Sequence, residues 1–211
     1  MNIGKAKPLM HVTILMVLLQ AGRMAVRYLA FLVLERNEVS DILVSSLSML
    51  LLAFAMLLIS KKQNVALSVF PPKRKLLYTA ATVILLFLLI TSVIIQDNKS
   101  FVTIFAILYG SIFTPIGEEL IFRGYMWNKL KEGFKNELSI YIITTFLFAV
   151  WHLGYVDVIA FKAGTENLLF VMMMKAFVGL CFGVVLGALR YKVKNCYATI
   201  LLHGVMNIFG R

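Results

Sequence analysis

The residues able to do chemistry fall into three short spacings. The segment Glu118-Glu119-Leu120-Ile121-Phe122-Arg123 ends a long apolar run that begins at Phe101. Glu119 and Arg123 stand four apart, on one helical face, where a charge-assisted pair can form. Glu118 is rotated by about 100° from that face and keeps no such partner, which leaves it free to act as a base. Downstream, His152 follows Phe148 by four residues and Asn207 follows His203 by four. The first pair would pack ring against ring. The second points two polar groups from one face, able to donate hydrogen bonds to a developing oxyanion. Plainer readings exist for each: interfacial glutamates paired with basic neighbours, a histidine bonding helix to helix, an ordinary core phenylalanine.

The elements that must carry these groups are set by composition. Hydrophobic residues make up 61% of the 211 residues and charged residues 15%, far from the balance of a soluble domain. Stretches able to span about 30 Å as helix run at His11 to Leu34, Ile42 to Ile59, Leu76 to Ile95, Phe101 to Gly117, Ser139 to Gly154, Leu168 to Leu189 and Cys196 to Phe209. Backbone groups cannot be left unpaired in lipid and the runs show no alternation, so these are helices and not barrel strands. The expectation is an all-α, polytopic membrane helix bundle of about seven (six to eight) transmembrane helices, one membrane domain over residues 1–211. Leu120 to Phe134 mixes apolar and basic residues and reads as an amphipathic helix at the inner interface. The first stretch is too long for the core of a signal peptide and is taken as a retained span. Pro71 and Pro72 break the second loop.

A net charge of +11 from 21 Lys and Arg would raise the question of nucleic acid, but the bases flank membrane-length segments and do not share a wet face, so no nucleic acid is expected. The positive-inside bias puts the N-terminus in the cytoplasm. The inner side then collects Lys5, Lys7, Lys61, Lys62, Lys73, Arg74, Lys75, Arg123, Lys129, Lys131, Lys135, Arg190, Lys192 and Lys194; the outer keeps Arg36, Lys99, Lys162 and Arg211.

Ionisable groups at membrane depth are expensive and point to function. Eight of the ten acidic residues (Glu35, Glu38, Asp41, Asp97, Glu132, Glu137, Asp157 and Glu166) fall in or near loops on this map. Glu118 and Glu119 do not, and Pro115 and Gly117 loosen the helix just before them. Arg23 and Arg27 share a face and fit structural pairing better than catalysis; Lys175 also lies at membrane depth. His11 sits near the inner edge of its span. Cys181 and Cys196 have no metal-type or disulfide-type spacing and read as small buried apolar residues. Met172 to Met174 and Gly179, Gly183 and Gly187 read as a close helix-packing face.

Taken in order, Glu-Glu-x-x-x-Arg at 118 to 123, Phe-x-x-x-His at 148 to 152 and His-x-x-x-Asn at 203 to 207 resemble the CAAX-protease and bacteriocin-processing (Abi) family of intramembrane proteases. The resemblance covers residues 101–211; the three spans of 1–100 carry no diagnostic motif. It implies that Glu118 with His152 activates water while His203 with Asn207 holds the scissile carbonyl, with Glu119, Arg123 and Phe148 in support. It also implies a peptide or membrane-protein substrate in a cell membrane and a clustered site open toward the cytoplasm. The family is described both as zinc metalloproteases and as glutamate-dependent proteases without a metal. Glu118, His152 and His203 could hold zinc with an open water position, whereas Asn207 suits an oxyanion hole.

Two other classes stay open: a scaffold or bacteriocin-immunity protein of the same fold, and a proton-coupled transporter, which would want broken helices in both halves. The span boundaries put Glu118 near the inner face and His152 near the outer end of its helix, too far apart for shared chemistry. Either the fourth helix continues well past Glu119, or the fifth continues through Val156 to Phe161.

Overall fold

The computed structural model of the chain describes residues 3–70 and 73–210; Pro71, Pro72 and Arg211 lie outside them. Among the described residues there are seven helices and no strand. They are α1 (Ile3–Phe31), α2 (Glu38–Lys62), α3 (Lys75–Ile94), α4 (Phe101–Leu130), α5 (Glu137–Ala163), α6 (Leu168–Val193) and the shorter α7 (Tyr197–Phe209). Six are long and apolar enough to cross a membrane. The chain is therefore a multi-pass membrane protein, and its exposed Leu, Ile, Val and Phe side chains are the surface that lipid wets.

Local sequence sets the ends. Asn37 caps α2 by accepting from the Ser40 amide while the Ser40 hydroxyl accepts from the Asn37 amide. Glu38 and Asp41 sit in its first turn and Lys61 and Lys62 in its last, each matched to the helix dipole. Ser100 caps α4 through the Thr103 amide.

Both resolutions of the depth conflict hold together. The fourth helix does not stop at Gly117 but runs to Leu130, and the fifth runs through His152 to Ala163. The segment read as an interfacial amphipathic helix is instead the buried second half of α4: Ile121, Phe122, Arg123, Tyr125, Met126 and Trp127 are all fully buried. Its Arg123 misled because it is a core group and not a loop charge, as is Arg190 of α6.

Three irregular turns bend these helices inward. A π-helical turn at Tyr109–Phe113 precedes Pro115, which has no N–H to return to the preceding turn. The Gly110 carbonyl, five residues before that proline, takes a bond from Asn207 Nδ2 at 2.7 Å. A second π stretch covers Leu120–Met126, and its Arg123 carbonyl accepts from Arg190 Nε at 2.8 Å. A 3₁₀ turn at His152–Tyr155 interrupts α5, where Arg23 donates to the Gly154 carbonyl.

Asp41 and Asp157, placed in or near loops from sequence, lie in the first turn of α2 and in α5 and close an ion network. Arg27 bridges Asp41 and Asp157, each at 2.7 Å, and also bonds Ser45, tying α1 to α2 and α5; Arg36 adds Asp41 at 2.9 Å. Structural pairing of Arg27 is thus the arrangement found. The glycine face also forms. Gly179, Gly183 and Gly187 bring α6 against His152, Thr145 and Tyr141 of α5. Met173 and Met174 are not part of it but face outward, as does Cys181. Cys196, between α6 and α7, is buried, and burial pushes its thiol up to about 12, which makes it inert to maleimides near neutrality.

A Cβ at Gly183 would stand 3.1 Å from Thr145 Cγ2 and 3.2 Å from its carbonyl oxygen. Gly183→Leu is expected to destabilise the bundle by about 1–3 kcal/mol through overpacking, seen as a lower thermal midpoint in detergent; an unchanged midpoint would show that the α5–α6 contact yields.

Candidate active site

Glu118, His152, His203 and Asn207 line one cavity of about 310 Å³, together with Tyr109, Thr114 and Tyr155. Four helices contribute, and the irregular turns are what turn their polar groups inward. Glu119, Arg123 and Phe148 do not line it but adjoin it, Glu119 through His203, Arg123 through Glu119 and Phe148 through His152.

Glu119 and Arg123 pair at 2.9 Å, both with fully buried side chains, the arrangement expected from their spacing. The same Glu119 oxygen takes His203 Nδ1 at 3.0 Å. Because a carboxylate accepts, Nδ1 is the protonated nitrogen. The opposite nitrogen, Nε2, stands 3.9 Å from Glu118 Oε2. His203 is thus held by Glu119 and aimed at Glu118. The His152 ring is oriented in the same manner, since its Nδ1 donates to the Phe148 carbonyl at 2.7 Å. That bond leaves the His152 Nε2 lone pair free in the neutral ring. The Phe148 ring meets His152 edge-on at 4.8 Å and carries the Arg123 guanidinium 4.2 Å over its face.

Glu118 is not partnerless, as the sequence suggested. Its Oε1 accepts from the Tyr155 hydroxyl at 2.6 Å and from Trp151 Nε1 at 3.0 Å. Oε2 has no hydrogen-bond partner among the described residues although it is buried. One oxygen is anchored and the other presented to the cavity. The sequence reading missed Trp151 and Tyr155; their signal is Trp-His-x-x-Tyr around His152, legible only once α5 is known to continue past residue 154. Tyr155 is itself fixed by the Arg23 guanidinium, 4.3 Å over its ring, so the α1 arginine reaches the site indirectly.

For zinc, the sequence offered Glu118, His152 and His203. The 3.9 Å between Glu118 Oε2 and His203 Nε2 is close to twice a zinc-ligand distance of about 2.0–2.2 Å. Among the described residues, however, no three His, Cys, Asp or Glu side chains gather as ligands of one ion. The trio does not form a donor set in this arrangement.

Residues 99–209, more than half of the chain, match the family described as type II CAAX prenyl endopeptidase, Rce1-like. The chain belongs to that family. No curated protein matches it, and no solved structure does. The Rce1-like match spans α4 to α7, the helices that line the cavity, and leaves out α1 to α3. It makes this a member of a family of membrane proteases acting on peptide bonds.

Consecutive helices alternate in direction, so Lys5, the α2–α3, α4–α5 and α6–α7 connections share one face. The Lys5 ammonium lies 5.9 Å over Phe134, the Cys196 amide bonds the Ser68 carbonyl at 3.0 Å, and Lys194 pairs with Glu137. The cavity is lined at its outer end by Lys162 and Gly210, exposed residues at the ends of α5 and α7 on the opposite face.

Tyr155→Phe removes the shorter of the two bonds to Glu118 and keeps the ring. A hydrogen bond to a charged group contributes about 1.5–3 kcal/mol, so kcat on any cleaved peptide should fall by about ten- to a hundredfold with KM and thermal midpoint nearly unchanged. A matching loss in both KM and midpoint would mean that Tyr155 only packs.

Proposed function

We propose that the chain is an intramembrane endopeptidase in which Glu118 is the general base. The observation that carries this reading is the Glu118 carboxylate itself: one oxygen is fixed by Tyr155 and Trp151, the other is buried and open to the cavity. Water donates one hydrogen to Glu118 Oε2 and one to His152 Nε2, which turns its lone pair toward the scissile carbonyl. As the C–O bond forms, the proton passes to Glu118 and the carbonyl electrons collect on oxygen. That oxyanion accepts from His203 Nε2–H and from the hydrogen of Asn207 Nδ2 that the Gly110 carbonyl does not use. Glu118 then hands its proton to the departing amine as the C–N bond breaks.

His203 can donate from Nε2 only with both ring nitrogens protonated, since Nδ1 already donates to Glu119. Every step uses groups of this chain, and none is routed through a metal.

In reconstituted vesicles with a peptide library, Glu118→Gln should lower kcat by about a hundred- to ten-thousandfold, and His203→Ala by about a hundred- to a thousandfold. Retained cleavage in Glu118→Gln would dismiss the glutamate as base. Wild-type activity abolished by a chelator and restored by zinc would replace this water activation by a metal route.

A non-catalytic scaffold of the same fold predicts the reverse: no peptide cleaved, and a cellular phenotype indifferent to Glu118→Gln.

A further inference from the structure

Three arginines from outside the matched residues 99–209 grip one short stretch of α5. Arg23 donates to the Gly154 carbonyl, Arg27 holds the Asp157 carboxylate through Nε at 2.7 Å, and Arg36, in the α1–α2 connection, donates to the Asp157 carbonyl at 3.1 Å. Between those anchors lies Tyr155, whose hydroxyl makes the shorter of the two bonds to Glu118, at 2.6 Å. α1 can approach this closely because residue 154 is glycine: a Cβ there would run into the Gln20 amide.

Arg23 differs from its two companions. Arg27 spends its guanidinium on Asp41, Asp157 and Ser45, and Arg36 meets Asp41 at 2.9 Å. Arg23 is 1% exposed, yet its ion pair with Asp157 is long, at 3.9 Å, and its Nε and Nη1 have no hydrogen-bond partner among the described residues. What the guanidinium does meet is the face of the Tyr155 ring, 4.3 Å from its centroid. A buried cation so sparsely paired is costly, and an apolar side chain of similar length would fill the space at less cost. On the face of a phenol, however, a cation draws on the π electrons and polarises the O–H at the ring edge. The bond that this O–H gives to a carboxylate is thereby strengthened.

We propose that Arg23 is a positioning residue for the hydrolysis: acting through Tyr155, it fixes the Glu118 carboxylate so that Oε2 stays turned to the cavity. Its charge, and not only its bulk, carries the effect. Helix α1 thereby takes part in the reaction without touching the substrate. The effect on rate rests on the endopeptidase reading, while the coupling of Arg23 to Glu118 is readable without activity.

On a library peptide that the wild type cuts, Arg23→Met should lower kcat about tenfold with KM nearly unchanged, about 1.4 kcal/mol of barrier and within the reach of a desolvated cation–π contact. Arg23→Lys, which keeps a cation at that depth, should recover most of the loss. In a Tyr155→Phe background Arg23→Met should change kcat by less than about twofold, because the hydroxyl it acts through is gone. An unchanged kcat, a loss that appears in KM, or the same loss in both backgrounds overturns the proposal. Should Arg23→Met not fold, Arg23→Gln, which can keep the Gly154 bond but lacks the charge, is held to the same outcomes. The chain has two tryptophans, so in a Trp127→Phe background the emission of Trp151, which donates to the same Glu118 oxygen, reports on that carboxylate alone. Arg23→Met should shift this emission in the same direction as Tyr155→Phe and add nothing to it in the double variant; an emission identical to the parent's overturns the coupling. If the wild type cuts no peptide, the endopeptidase reading fails while the emission still decides the coupling.

Discussion

Two adjacent carboxylates buried in a membrane bundle are the constraint around which this structure is arranged. An isolated ion moved into an apolar interior costs several kcal/mol even after relaxation, and Glu118 and Glu119 are at most 1% exposed. The chain solves the two problems differently. Glu119 is neutralised by Arg123 and His203 on one oxygen. Glu118 is stabilised by neutral donors, a phenol and an indole, which hold an anion in place without quenching its basicity through a salt bridge. Neighbours in sequence are thereby held in different ways, one by charged partners and one by neutral donors.

That division needs donors from four helices at one depth, and straight helices would not deliver them. Each departure from regular helix releases a carbonyl, and each released carbonyl is taken by a polar group at or beside the site. The π turn before Pro115 gives the Gly110 carbonyl to Asn207; the π stretch after Glu119 gives the Arg123 carbonyl to Arg190; the 3₁₀ turn after Trp151 gives the Gly154 carbonyl to Arg23. In lipid such carbonyls must be satisfied within the protein. The bends that aim the site and the bonds that hold α1, α6 and α7 against it are therefore the same features.

Much of this was legible in the sequence, and the failures have physical reasons. Seven apolar runs gave seven helices, and the Glu119–Arg123 pair and the Phe148–His152 packing followed from four-residue spacing alone. Hydropathy failed at Gly117 and Gly154 because it treats a charge as an exit from the membrane. Glu118, Glu119 and Arg123 are instead buried in the protein, where partners replace water, and Asp157 is paired with Arg27. Asp41 and Asp157 were placed in or near loops with no partner in view, since a window average cannot see that Arg27 will meet both. Tyr155 was invisible for another: its role exists only because the 3₁₀ turn rotates it onto Glu118.

The distribution of cations separates two functions that composition merges. Charges buried by Glu119, Asp41 and Asp157 orient side chains and say nothing about topology; charges in the connections fix topology and say nothing about chemistry. Arg123 and Arg190 were counted with the loops but are core charges. Once they are moved to the core, the basic connections lie at one end of the bundle and the cavity rim with Lys162 at the other. The separation of the two sets follows from the antiparallel order, because α4, α5 and α7 each place a cavity-lining residue between a connection on one face and a further lining segment toward the other.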